Sequence, residues 1–110
     1  MTEPAVRELR VKVDPILMTV SGLLMEPEDP RWLYILAHGA GAGMRHPFLE
    51  NISRALAERG VATLRYQFPY MDSGLRHTDS PPVCEATVVC AARAAGDFVP
   101  GIPLIAGGKS

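Results

Sequence analysis

A glycine-rich segment follows the first continuously apolar run of the chain. It reads His38-Gly39-Ala40-Gly41-Ala42-Gly43 and lies between a predicted strand and a predicted helix. Its three glycines allow the backbone to turn sharply and to direct several N–H groups at one ligand. Such a loop can bind an anion, or it can stabilise the oxyanion that forms when a nucleophile attacks an acyl carbonyl. A plain glycine-rich turn between strand and helix is the structural alternative.

A second candidate segment, Gly107-Gly108-Lys109-Ser110, follows a later predicted strand. In the nucleophile elbow, G-x-S-x-G, a serine occupies a tight turn between strand and helix, and small flanking residues permit the strained backbone that exposes its hydroxyl. Gly108, Lys109 and Ser110 match the first three positions of that motif. We therefore predict that Ser110 is a nucleophile. The alternative is a glycine-rich loop that ends in an arbitrary serine.

Motifs for nucleotide cofactors and metals do not fit this sequence. A dinucleotide fingerprint needs two residues between its second and third glycines, but only Ala42 separates Gly41 from Gly43. A phosphate-binding loop that ended in Gly-Lys-Ser would need glycine at the position of Pro103. The two cysteines and three scattered histidines match no ligand spacing. We predict neither a cofactor nor a metal.

Hydrophobic patterning predicts the strands that position both segments. Alternating apolar residues predict a strand over 9–13, which pairs as a hairpin with a second strand over 17–24. Continuous apolar runs predict a strand over 32–37 that is covered on both faces, a strand over 61–66, and a buried strand over 102–106.

Two helices are predicted between these strands. The first begins at Pro47, carries Phe48, Leu49, Ile52, Ala55 and Leu56 on one apolar arc, and ends at Gly60. The second spans about 82–95, with Ser80 as its N-cap and Gly96 in the break that follows. A polar loop over 71–80 precedes it. Alternation of strands and helices indicates a largely parallel, doubly wound sheet.

Composition excludes several classes of partner. A chain of 110 residues that is 47% hydrophobic and 21% charged suits one globular domain. Its net charge of −1, without a run of like charge, argues against nucleic acid and anionic membranes as partners. It has neither an apolar run of membrane-spanning length nor an export signal, so we expect a cytoplasmic protein. Cys84 and Cys90 are predicted to be free, buried thiols.

Four segments, spread over most of the chain, carry a family resemblance. They are Leu36-Ala37-His38-Gly39-Ala40-Gly41, Arg65-Tyr66-Gln67-Phe68-Pro69-Tyr70, Asp79-Ser80-Pro81-Pro82 and Gly107-Gly108-Lys109-Ser110. With these residues the sequence resembles the α/β-hydrolase superfamily. Within it, the sequence resembles the KANL/Tex-type hydrolase-like domain proteins, which are related to the dienelactone hydrolases.

The resemblance implies a three-layer α/β/α fold with a mostly parallel sheet. It implies that Ser110 is the catalytic nucleophile and that His38, Gly39, Ala40 and Gly41 form the oxyanion-hole loop. The triad acid and histidine follow the serine in this family. Complete members need roughly 200 residues, so we expect residues 1–110 to be a single incomplete domain, the N-terminal half of the fold.

For the whole protein the resemblance implies a serine hydrolase that acts on a small-molecule ester, thioester or similar acyl substrate. We expect this fragment to be inactive alone and to self-associate through the exposed edge of its fifth strand. The alternative function is a non-catalytic, hydrolase-like interaction module. An acid and then a histidine downstream of Ser110 would distinguish the two.

Aromatic residues and histidines near these segments have two interpretations each. Phe68, Tyr70 and Met71, with Tyr66, either line a substrate pocket or fix their loop onto the core. His38 either acts as a base or, as we favour, orders the glycine-rich loop.

The other two histidines belong to different settings. His46 is predicted to start a helix. His77 either contacts a substrate, together with Asp72 and Asp79, or is a solvated loop residue, which is the prediction we prefer.

Overall fold

The computed structural model describes residues 5–14 and 18–109. Within them lie five strands and three helices. In chain order they are β1 (Ala5–Val13), β2 (Met18–Glu26), β3 (Trp32–Ala37), α1 (Pro47–Glu58), β4 (Val61–Tyr66), α2 (Pro69–Asp72), α3 (Pro81–Phe98) and β5 (Leu104–Gly108). The bounds of β3 and β4 are those predicted, while the short helix α2 occupies a segment for which no helix was predicted.

The strands form one mixed sheet in the order β1-β2-β4-β3-β5. β1 and β2 pair antiparallel, which confirms the predicted hairpin, and β2 pairs antiparallel with β4. β3 is the centre of the parallel part, because it pairs in parallel with β4 on one side and with β5 on the other. The alternation predicted a largely parallel, doubly wound sheet. The α/β fold is confirmed, and the described part of the sheet is mixed, with two parallel and two antiparallel strand pairs.

Helices cover both faces of the sheet. Leu33, Ile35 and Leu64 belong to a buried cluster with Ala91 and Ala95 of α3. Because successive side chains of a strand point to opposite faces, the intervening residues of β3 and β4 face α1 on the other side. The core of the domain therefore lies mainly between α3 and the sheet.

Local signals set the ends of α1. His46 is its N-cap and accepts a hydrogen bond from the backbone N–H of Phe48 at 3.1 Å, and Gly60 has a φ of +80° just beyond the last turn. The predicted start of α1 at His46 and Pro47 and its predicted end at Gly60 are both confirmed. The apolar arc is wider than the surface the sheet covers: Leu49 is buried, whereas the Phe48 side chain is 44% exposed.

Helix α3 is longer than predicted at both ends. It begins at Pro81 after Ser80, which occupies the N-cap position without a side-chain cap hydrogen bond. The expected break at Gly96 is wrong, because the helix continues through it to Phe98. Ala95 and Val99 are buried in the core, so packing on this face extends the helix past a glycine that local propensity would place outside it.

Strand β5 lies two residues later than predicted and is not buried. Among the described residues it pairs with β3 alone, and Leu104 and Ile105 are 39% and 41% exposed. Its apolar composition had predicted a buried strand, whereas the resemblance had predicted an exposed edge at this strand, and the structure agrees with the second expectation. Coverage depends on neighbouring elements, and no described strand lies on the outer side of β5.

The two thiols differ in burial. Both cysteines are free, as predicted, and Cys90 is buried. Cys84 is only half-buried, which corrects the prediction for that residue. Burial nevertheless raises the pKa of the Cys84 thiol, and the nearby carboxylates of Asp79 and Glu85 add to this effect. The thiol form of Cys84 is therefore favoured, and we assign it no nucleophilic role.

Candidate active site

The two segments of chemical interest meet at one edge of the sheet. β3 and β5 are parallel neighbours, so their carboxyl ends lie side by side, the usual location of ligand sites in open α/β sheets. The glycine-rich loop leaves the end of β3, and Lys109 follows the end of β5. The backbone N–H of Lys109 donates a hydrogen bond to the carbonyl of Ala37 at 3.1 Å. Ser110 itself lies outside the described residues.

Close approach to β3 explains the glycine pair before Lys109. A Cβ atom on Gly107 would overlap the hydroxyl end of Tyr34, and a Cβ on Gly108 would lie 2.8 Å from the carbonyl oxygen of Ala37. These glycines belong to strand β5 and not to the turn that was predicted to follow it. Glycine is required at position 108 because two backbones approach closely there, whereas the neighbour of Gly107 is the Tyr34 side chain.

His38 links the glycine-rich loop to the loop that follows β4. The side chain is 5% exposed, its Nε2 accepts a hydrogen bond from the backbone N–H of Phe68 at 3.0 Å, and its Nδ1 lies 2.7 Å from the carbonyl oxygen of Gly39. A nitrogen that accepts carries no proton, so Nδ1 carries the ring proton and donates it to Gly39. The neutral imidazole therefore satisfies both contacts at once.

The environment of His38 favours that neutral state. Burial lowers the pKa of His38, and the hydrogen bond to the Gly39 carbonyl opposes this shift in part. Protonation of Nε2 would also place an N–H against the N–H of Phe68. Both ring nitrogens of His38 are hydrogen-bonded to backbone groups, so neither is available to accept a proton from a nucleophile.

The glycine-rich loop leaves backbone donors exposed. Ala40 and Gly41 both face solvent, and within residues 5–14 and 18–109 no group accepts a hydrogen bond from either backbone N–H. The carbonyl of Ala40, in contrast, accepts a hydrogen bond from the Tyr70 hydroxyl at 3.4 Å. The carbonyl of Ala40 is thus hydrogen-bonded, whereas the N–H groups of Ala40 and Gly41 are available for a ligand.

The aromatic residues after β4 surround His38. The ring centroids of Phe68 and Tyr70 lie 5.1 and 5.8 Å from that of His38, both in edge-on geometry. Tyr70 is 4% exposed, and its backbone N–H donates to the carboxylate of Asp79 at 3.0 Å. Burial raises its pKa and Asp79 adds to the shift, so Tyr70 keeps its proton. These contacts attach the loop to the core.

An apolar groove lies between α1 and the strands β3 and β5, away from the aromatic residues after β4. We call it the α1 groove; it has a volume of about 580 Å³ and none of Phe68, Tyr70 and Met71 lines it. Lys109 lies along it, with its Nζ 5.3 Å from the ring centroid of Phe48. The lining residues are Tyr34, Leu36, Phe48, Leu49, Ile52, Ala55, Leu56, Gly108 and Lys109.

A buried cation that was not predicted from the sequence lies beside the glycine-rich loop. Arg65 is 2% exposed, and its Nη1 donates to the carbonyl of Met44 at 3.2 Å. The Oε1 of Gln67 accepts a hydrogen bond from the backbone N–H of Met44 at 3.1 Å. The sequence signal for this buried cation was Arg65 itself, the one charged residue within the apolar run 61–66, which was predicted to be a strand.

His77 and the acidic residues near it do not form a cluster. His77 is exposed, Asp79 accepts the Tyr70 N–H, and Asp72 forms an ion pair with Arg10 at 3.5 Å. Among the residues that the structure describes, no group of three His, Cys, Asp or Glu side chains could hold a metal ion. In the same residues, no helix is long and apolar enough to cross a membrane.

Sheet order, flanking helices and a glycine-rich loop beside the end of β5 together define the first half of an α/β-hydrolase fold. A model of the alpha/beta hydrolase domain family matches residues 30–110, which is more than half of the chain. The chain belongs to this family.

Solved structures share the fold at low sequence identity. Dienelactone hydrolase from Anabaena variabilis superposes with a TM-score of 0.84 at 20% identity, over 99% of this chain and 53% of that one. An α/β serine hydrolase without a lid from Xanthomonas campestris has a TM-score of 0.77 at 20% identity, over 100% and 52%. An α/β serine hydrolase homologue from Coxiella burnetii has 0.78 at 16%, over 94% and 51%.

The chain spans about half the length of these structures. The search of curated proteins found no match to the chain. At these identities the similarity establishes the fold alone.

Proposed function

We propose that this chain supplies the first half of a serine hydrolase that cleaves a small-molecule ester, thioester or similar acyl substrate. Ser110 is the nucleophile, and the exposed backbone N–H groups of Ala40 and Gly41 supply the oxyanion donation from the glycine-rich loop. In α/β-hydrolases the residue after the serine supplies the other donor. The observation that carries the proposal is the 3.1 Å hydrogen bond from Lys109 to Ala37. It holds the residue before Ser110 beside the strand end from which the glycine-rich loop begins.

The proposed reaction has two stages. The Ser110 hydroxyl oxygen bonds to the acyl carbon, its proton passes to a base, and the alcohol or thiol leaves with a proton as its bond to the carbonyl carbon breaks. Water then hydrolyses the acyl-enzyme and restores the serine hydroxyl. In both stages negative charge develops on the carbonyl oxygen, where the exposed N–H groups of Ala40 and Gly41 stabilise it.

The base is expected outside the described residues. His38 holds backbone groups through both of its ring nitrogens, so using it as the base would break its contact with Phe68. In α/β-hydrolases the acid and the histidine follow the serine along the chain. Since the chain spans about half of its structural neighbours, we propose that the remaining part of the whole protein supplies both groups.

A labelling experiment on the whole native protein tests this proposal. The wild type is treated with a fluorophosphonate probe and assayed with p-nitrophenyl acetate, in parallel with Ser110→Ala. Ser80→Ala is a matched control, because Ser80 is exposed and its hydroxyl makes no cap hydrogen bond. We expect Ser110→Ala to lose labelling and at least about 10³-fold in kcat, while Ser80→Ala retains both.

Two outcomes would contradict the proposal. Undiminished labelling of Ser110→Ala would mean that another residue is the nucleophile. A wild type that is neither labelled nor active would favour the interaction module.

A further inference from the structure

The glycine-rich loop is held at both ends by residues 65–68, which lie at the end of β4 and just beyond it. At its start, His38 accepts the backbone N–H of Phe68. At its end, the carbonyl of Met44 accepts from Arg65 at 3.2 Å, and the N–H of Met44 donates to Gln67 at 3.1 Å. The proposed oxyanion donors lie between these two attachment points. The placement of the loop therefore depends on residues 65–68.

Burial of the Arg65 guanidinium carries a desolvation cost, although the group makes only one hydrogen bond among the described residues, to the Met44 carbonyl. Its side chain is buried, its Nε has no hydrogen-bond partner, and among the described residues no carboxylate forms a salt bridge with it. Burial lowers its pKa, and the more distant charge of Glu50 offsets this in part. A buried, incompletely paired cation is poor evidence for a role in stability, since an apolar residue of similar volume often stabilises a core better. What an apolar residue could not provide is the hydrogen bond from Arg65 to the Met44 carbonyl.

Gln67 is itself held in place. Its Nε2 donates to Asp72 at 3.1 Å, and Asp72 forms an ion pair with Arg10 across to β1. A Cβ on Gly43 would overlap the Oε1 of Gln67, so glycine at that position leaves room for the bond to Met44. The carboxamide thus has one acceptor and one donor interaction in a fixed geometry.

We propose that Arg65 and Gln67 are positioning residues for the hydrolytic reaction, and that they act by holding both backbone groups of Met44. Within the described part of the chain, neither side chain is hydrogen-bonded to Gly107, Gly108 or Lys109. Each fixes the end of the loop that presents the N–H groups of Ala40 and Gly41. The inference rests on the proposed function, because it assigns those N–H groups the role of oxyanion donors.

Kinetics of the whole native protein test this inference. Arg65→Met and Gln67→Met remove the bonds to Met44, and kcat and KM are measured with p-nitrophenyl acetate per active site titrated by the fluorophosphonate probe. Thr63→Val is the matched control, because Thr63 is buried on the same face of β4 and its hydroxyl has no partner. Arg65→Lys keeps a cationic donor for the single bond to the Met44 carbonyl.

A misplaced oxyanion loop weakens transition-state binding more than substrate binding. We expect kcat to fall about 10- to 100-fold in both methionine variants, with KM changed by less than about twofold. Arg65→Lys should recover most of the lost kcat. Thr63→Val should retain kcat within about twofold, since no loop contact is removed.

Each other outcome contradicts a specific step. Wild-type kcat in folded Arg65→Met and Gln67→Met would overturn the inference while leaving the proposed function intact. An equal loss in Thr63→Val would show a general effect of core substitutions and would also overturn it. If Arg65→Met does not fold, the half-buried Gln67→Met decides alone. A wild type without labelling or turnover would overturn the proposed function, and this inference with it.

Discussion

Replacing Gly108 by alanine would put a methyl group into space that β3 occupies. The new Cβ would lie 2.8 Å from the carbonyl oxygen of Ala37 and 2.9 Å from its Cβ. Both distances are shorter than real Cβ contacts, and the oxygen belongs to a backbone that is paired in the sheet. Relief therefore requires β5 to move away from β3, at the point where Lys109 bonds to Ala37.

The size of this effect follows from two opposing contributions. Overpacking a fixed site costs about 1–3 kcal/mol. Alanine also restricts the unfolded chain, which stabilises the fold by about 0.4–1 kcal/mol. We expect Gly108→Ala to lower the free energy of unfolding by about 1–2 kcal/mol, or about 2–4 °C in Tm per kcal/mol for a protein of roughly 200 residues.

Thermal unfolding of the whole protein, followed by circular dichroism, measures this effect. Gly41→Ala is the matched control, because no atom lies within 4 Å of a Cβ built on Gly41. Its Tm should equal or slightly exceed that of the wild type. A Gly108→Ala variant as stable as Gly41→Ala would refute the reasoning, since it would show that β5 is not held against β3 at this position.

Three further predictions concern histidine titration and glycine conformation. Burial lowers the pKa of His38 below its ordinary 6.5, so its contribution to stability is complete above pH 6.5 and is lost as pH falls through the folded value. Urea denaturation at about pH 7.5 and about pH 5.5 should show this loss of unfolding free energy in the wild type and in His77→Gln, whereas His38→Gln should lack it. If His38→Gln lost as much stability between the two pH values as the wild type, the lowered pKa of His38 would not be its cause. Gly60→Ala should lower the free energy of unfolding by about 1–2 kcal/mol, because alanine is strained at a φ of +80°. Gly96→Ala should raise it by up to about 1 kcal/mol, because Gly96 lies inside α3 with open space around it; a change of the same sign in these two variants would argue against the assigned conformations.

Much of the candidate site was predictable from the sequence. The glycine-rich loop after β3 and the start of α1 at His46 and Pro47 follow from short-range patterns. The glycines of the serine segment, predicted to follow their strand, lie within β5. The burial of Arg65 was not predictable in the same way. A guanidinium in an apolar run is compatible with exposure at an edge, and its bond to Met44 requires a loop that is 21 residues away in sequence.

Elements whose signals are local were predictable from the amino-acid sequence. Continuous apolar residues between turn residues define β3 and β4, and proline and glycine define the ends of α1, because these effects act within a few residues.

Other features depend on which elements become neighbours in the folded domain. Core packing of Val99 carries α3 past Gly96, and β5 is exposed because no described strand lies on its outer side. The contact between Lys109 and Ala37 exists because two strands far apart in sequence pair in parallel. Pairing and burial depend on what lies beside an element, and a segment's own residues do not contain that information.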